Sequence, residues 1–183
     1  EGTAVQGAGA LGYEGAAMLN LPIARDAVAL RVVAYHSEEP GWIGNAATGD
    51  SSSNSARVYG GRVALRWETG GWQTDLAVAG QKIATDDSQW LNQSDPQFSR
   101  STGQPEPNHN YFKNGRLTVR KAMGGINFLS STSVTKQEVS RYQDASAVSD
   151  QFSLPQPMIF DEEMYYNLFN QELRANGGGA EGV

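Results

Sequence analysis

His36-Ser37-Glu38-Glu39 is the first place in the sequence where an imidazole and carboxylates fall close enough to hold a divalent cation or relay a proton. The residues around it do not complete either chemistry. A polar residue where a strand meets a loop explains His36 without a ligand. The second histidine, His109, stands between Asn108 and Asn110 in a polar stretch with no ligand-spaced partner. Asp86-Asp87 and Asp161-Glu162-Glu163 supply the hard oxygen ligands that Ca²⁺ takes, but their spacing is not that of an EF-hand, and short acidic runs commonly just solvate a surface. No serine sits in a G-x-S-x-G elbow, and no glycine-rich turn carries the Lys-Ser/Thr of a phosphate loop. Cysteine is absent, which removes thiolate ligands, thiol nucleophiles and disulfides. The expectation is a protein that is not an enzyme and carries no metal and no cofactor.

The elements that position these residues are strands. Arg57 to Trp67 alternates cleanly, with Tyr59, Gly61, Val63, Leu65 and Trp67 on one parity and Val58, Arg62, Ala64 and Arg66 on the other. Trp72 to Ile83 does the same, Trp72, Thr74, Leu76 and Val78 opposing Gln73, Asp75, Ala77, Ala79 and Gln81. Thr3 to Leu21 and Val28 to Ser37 form an earlier pair, turned at Pro22 to Asp26. Gly115 to Lys121, Ile126 to about Tyr142 and Tyr165 to Arg174 complete the set. Thr69-Gly70-Gly71 and Gly124-Gly125 are tight-turn signals. Between the other strand ends lie long polar stretches, 38–55, 84–110 and 144–161. The expected fold is all-β: an antiparallel up-and-down meander of about seven long strands. Short turns gather at one end and long loops at the other.

Two architectures share that alternation. In a soluble sandwich the apolar face packs on a second sheet; in a membrane barrel it meets lipid, and the polar face lines the lumen. Strands of ten or more residues and the segregation of turns from loops favour the barrel. Trp67 and Trp72, on either side of one turn, fit an aromatic girdle at the membrane interface, though a cross-strand core pair would place them equally well. Arg31, Arg62, Arg66, Arg116 and Arg120 fall on the polar parity, as do Glu14, Asp75 and Glu172. A charge facing lipid near midplane costs ~2–4 kcal/mol, so these residues are expected in the lumen, in wall ion pairs or against whatever fills it. Trp42, Trp90, Tyr111 and Phe112 are the candidate loop aromatics for ligand capture, with self-packing of the loops as the plainer role. A formal net charge of -6 argues against nucleic acid as a partner.

In order along the chain, GYEGAAMLNLPIARDAVALRVVAYHSEEPGWIGN, YGGRVALRWE, QKIATDDSQ, FLSSTSVTKQEVSRYQDAS and NLFNQELRANGG resemble the barrel of TonB-dependent outer-membrane receptors. The resemblance implies a location in the outer membrane of a Gram-negative cell and active import of a scarce ligand such as a siderophore, vitamin or glycan. It implies outer-membrane lipid, a plug domain and an inner-membrane TonB complex as partners. Barrels of such transporters have 22 strands. Residues 1–183 are therefore expected to be an incomplete segment of a transmembrane β-barrel, without the plug and without the last strands. The absence of an initiator Met and the glycine-rich run from Asn176 to Gly182 agree with a piece of a longer protein. The alternatives are another outer-membrane barrel, such as a passive porin or adhesin, and a soluble carbohydrate-binding sandwich with the Val63, Leu65 and Trp67 face buried between two sheets.

Overall fold

The computed structural model describes residues 2–7, 10–91 and 98–177. In chain order the elements are β1 (Gly2–Gly7), β2 (Ala10–Ala24), β3 (Val28–Glu39), β4 (Gly44–Asn45), β5 (Ala56–Thr69), β6 (Trp72–Thr85), β7 (Ser99–Arg100), β8 (Asn108–Met123), β9 (Ile126–Asp144), α1 (Ser146–Phe152) and β10 (Ile159–Gly177). Eight strands form one sheet in the order β1-β2-β3-β5-β6-β8-β9-β10, each antiparallel to the next. The two-residue strands β4 and β7 pair in parallel away from it. This is the expected all-β meander.

Turn chemistry sets the short-turn end. Gly70 and Gly71 have φ of 54° and 74°, and Gly124 and Gly125 have φ of 56° and 79°. Successive left-handed residues make the two-residue turn whose twist matches the strands it joins, and glycine adopts it without strain. In the third turn Asp26 takes the left-handed position, φ 55°. Pro22 stays within β2, where a register irregularity between Pro22 and Ala24 absorbs it.

Register then places every side chain. One row across the sheet reads Leu21, Leu30, Leu65, Leu76, Leu117. The next row towards the loops reads Leu19, Val32, Val63, Val78, Gly115, Val134, Phe169. A slip of one residue would turn all of them to the other face, so the apolar pattern specifies the register.

The apolar face is not a core. Val63, Trp67, Leu76 and Val78 are each about half exposed. Among the described residues no second sheet packs on them. Most of the buried groups among the described residues lie instead at the long-loop end, where Ile43, Asn45, Asn54, Asp87 and Arg100 are almost fully enclosed.

Several boundaries differ from expectation. Residues 3–21 hold two strands rather than one: Gly7 pairs with Ala10, and β1 adds an eighth strand to the wall. Their connection lies at the long-loop end, so the turns and loops do not segregate completely. β8 begins at Asn108 rather than near Gly115, and β10 at Ile159 rather than Tyr165. The third loop contains α1, seven residues long and too short to show a helical period.

Candidate functional site

The charged face of the sheet is its concave side, a cavity of about 720 Å³. Arg31, Arg62, Arg66, Arg116, Arg120, Asp75 and Glu172 all line it, and Glu14 shares their parity, so the structure puts the polar set on one face. Asp75 is the centre of its ion pairing. Its Oδ1 accepts from Arg66 Nε at 2.7 Å, and its Oδ2 accepts from Arg120 Nη1 at 2.5 Å and from Gln73 Nε2 at 2.9 Å. β5, β6 and β8 are thereby tied together by one carboxylate. Glu172 pairs with Arg174 on its own strand. Glu14 stands opposite Ser37 in the register. Arg31, Arg62 and Arg116 form no ion pair with any described carboxylate. The concave wall therefore presents net positive charge although the chain as a whole is acidic.

Glycine clears part of this wall. A Cβ on Gly60 would lie 2.5 Å from the Tyr35 hydroxyl and 2.7 Å from the Gly80 carbonyl oxygen. The bare backbone there lets Tyr35 lie across the sheet and accept a hydrogen bond from Gln81 Nε2 at 2.9 Å.

The convex face carries an apolar band between two aromatic edges. At the short-turn end Trp67 and Trp72 point outward from adjacent rows, with Lys121 Nζ 5.1 Å from the Trp72 ring centre. At the loop end one row reads His36, Tyr59, Lys82, Tyr111, Glu138, Tyr165. Lys82 Nζ lies 5.9 Å from the Tyr59 ring centre and 4.8 Å from that of Tyr111. Ten positions of β8 separate Lys121, opposite Trp72, from Tyr111. At ~3.4 Å per residue and a tilt of ~40°, that is a band about 26 Å tall, close to the hydrocarbon thickness a membrane barrel must cover.

Above the Tyr row the described loop residues are joined in one cap. Arg100 Nη1 donates to Asp87 Oδ1 at 2.9 Å and to Ser88 Oγ at 2.6 Å, and Nη2 donates to Glu106 Oε2 at 2.5 Å. The other Glu106 oxygen accepts from the Asp144 backbone at 2.8 Å. Asn54 Oδ1 accepts from the Trp42 and Ile43 amides at 2.8 and 2.7 Å, and Asn54 Nδ2 donates to Gln89 at 2.7 Å. Three connections far apart in sequence are thus joined through buried polar groups. Burial alone would raise the Asp144 carboxyl. Hydrogen bonds from Ser146, Gln104 and Gly103 outweigh it and hold that group below the ordinary aspartate value.

Of the expected capture aromatics, Trp42 and Trp90 are in this cap. Trp42 packs edge-on against Phe98, ring centres 5.6 Å apart, and remains partly exposed; Trp90 is exposed. Tyr111 and Phe112 are not loop residues: β8 starts before them, with Tyr111 outward beside Lys82 and Phe112 inward opposite Gln81 and Gln137. His109 likewise sits in β8 rather than a loop, its Nδ1 buried without a partner among the described residues. His36 lies within β3, its ring tilted on Tyr13 at 5.6 Å and Nε2 3.6 Å from Glu38. The acidic clusters are spent on other contacts. Asp86 takes Ser55 and Arg57, Asp87 takes Arg100, Glu162 takes Arg141, and Glu163 accepts from the Tyr165 hydroxyl. No group of three or more metal-ligating side chains occurs among the described residues. Arg100 and Glu106 went unrecognised in the sequence, although Arg100 is the one Lys or Arg between Lys82 and Lys113, in a stretch holding several acids.

No protein-family model matches the sequence, and no curated protein matches it significantly. A solved structure does. The chain aligns with the ferric yersiniabactin uptake receptor FyuA from Yersinia pestis with a TM-score of 0.78 and 18% sequence identity. The alignment covers 98% of this chain and 27% of that one. At that identity the likeness establishes the fold: the meander is a segment of a barrel wall, spanning about a quarter of the receptor it matches.

Proposed function

We propose that the chain is part of the wall of an outer-membrane receptor of the TonB-dependent type, which imports a scarce ligand actively. The observation that carries this reading is the division of the two faces. The apolar, aromatic-edged face is unburied, and every arginine of the polar set lies on the concave side. Lipid covers the leucine and valine rows of the first face, and a lumen accommodates the second. Residues 1–183 then form one portion of the barrel. A plug domain elsewhere in the same protein fills the lumen against Arg31, Arg62 and Arg116, and an inner-membrane TonB complex supplies energy through the plug. The capped loops, with Trp42 and Trp90 at their surface, meet the ligand first.

The solved neighbour takes up ferric yersiniabactin, which puts an iron chelate first among siderophore, vitamin and glycan ligands to be tried. Cells lacking the gene should fail to accumulate one member of a labelled panel of such ligands. Collapsing the proton gradient should abolish that accumulation in wild-type cells. Uptake that ignores the gradient would support a passive pore instead, and unchanged uptake across the panel would remove the transport reading.

A further inference from the structure

Lys113 and Lys136 stand directly opposite each other on β8 and β9, on the convex face. Like charges facing across a strand pair repel. Both side chains are exposed, and neither makes a hydrogen bond or ion pair among the described residues. Lys82 is a diagonal neighbour of Lys113, held over the Tyr59 and Tyr111 rings. The nearest carboxylate by register, Glu138, lies one row further out, opposite Tyr111 and Tyr165, and forms no ion pair with these lysines.

Directly below the two lysines the same face has a shallow groove of about 530 Å³. Gly61, Gly80 and Gly115 leave its floor bare, and Val63, Val78 and Val134 line it towards the apolar band. A Cβ on Gly115 would meet nothing within 4 Å. The open space is thus bounded by an apolar trough on one side and two uncompensated cations on the other, one row inside the Tyr edge of the band, from which lysine side chains reach the headgroups.

We infer that this groove binds a lipid bearing phosphate groups, its acyl chain along the valines and its phosphate between Lys113 and Lys136. A phosphate there converts a repulsive lysine pair into two charge-assisted contacts, and the glycine floor admits a chain that a flat leucine surface would not. The inference rests on the membrane reading above.

The test uses the full-length protein in phosphatidylcholine nanodiscs, with and without a bisphosphorylated lipid. Lipids retained after transfer to detergent are counted by native mass spectrometry. Wild type should keep the phosphorylated lipid in preference to phosphatidylcholine. The Lys113→Gln/Lys136→Gln variant should keep it roughly thirtyfold less well. Gly115→Leu retains both lysines but fills the groove, and should also lose lipid. Equal retention by the double-lysine variant would overturn the inference. So would displacement by inorganic phosphate together with an unaffected Gly115→Leu, because the site would then read phosphate alone. Heat-shifted gel mobility reports membrane insertion separately. Failure of wild type to insert removes both readings, whereas insertion without lipid preference removes only this one.

Discussion

Arg100 and Asp87 face each other at 2.9 Å in the loop cap, with only about 3% of either side chain exposed. The pair joins the second long loop to itself, and through Glu106 it reaches the outer end of β9. Among the described residues nothing comparable exists inside the sheet, where the ion pairs are partly exposed. Away from the strands, the described loops are therefore held by the most enclosed ion pair of the described residues.

Removing one member of that network should be more damaging than its surface location suggests. Arg100→Met leaves Asp87 and Glu106 enclosed without their cation, a loss of about 3–5 kcal/mol from the cap. Amide hydrogen exchange should quicken at residues 43–45 and 99–106 while the strand amides of β5 and β6 stay protected. Equal loosening of cap and wall would contradict this separation.

Acid should loosen the same region. The folded-state pKa of Asp144 is depressed, so its contribution is present above the unfolded aspartate value of ~3.9 and is lost as pH falls through the folded value. The Gly103 and Gln104 amides, both bound to Asp144 Oδ2, should lose exchange protection below about pH 4. In Asp144→Asn that protection should be weak at every pH, and a pH profile matching wild type would exclude the mechanism.

Two glycines on the wall should behave oppositely. Gly60→Val drives a side chain into the Tyr35 hydroxyl and the Gly80 carbonyl, so assembly of folded barrel should fall sharply. Gly15→Ala places its methyl in open space and should be neutral to mildly stabilising, by ~0.5 kcal/mol. Yields of heat-modifiable protein measure both.

The legible part of the sequence is the part that crosses the apolar band. Between Trp67 and Tyr59, one face carries apolar side chains and the other mostly polar or small ones, so period-2 alternation survives in β5 and β6. Beyond the Tyr row both faces of a strand carry polar side chains. The pattern then disappears, and Asn108, His109 and Asn110 read as loop although they are paired strand. β1 escaped notice for a different reason: its small residues carry little contrast between faces. The cap was opaque because Arg100 finds Asp87 thirteen residues away and Glu106 six away, distances that follow no strand or helix period. The grouping of the polar set on one face was readable, since its members share the parity of Arg66 and Asp75.

Face identity also predicts how new charge is tolerated. Val134 points outward near the middle of the band, and Thr135 points inward opposite Asn114. Val134→Arg should cost ~2–4 kcal/mol of stability in lipid vesicles, and Thr135→Arg much less. Denaturant titration of the two variants in the same vesicles gives the comparison; equal losses would mean that both faces see the same solvent.

The most direct test of the membrane wall uses the absence of cysteine in this chain. Single cysteines placed at Leu76, Ala77, Val78 and Ala79 of β6 can each carry a spin label in full-length protein reconstituted into bilayers. Accessibility to oxygen, which concentrates in hydrocarbon, should be high at 76 and 78 and low at 77 and 79. A water-soluble nickel chelate should not reach 76 or 78. Equal accessibility at all four positions, or free access of the nickel chelate to 76 and 78, would show that lipid does not cover the leucine and valine face.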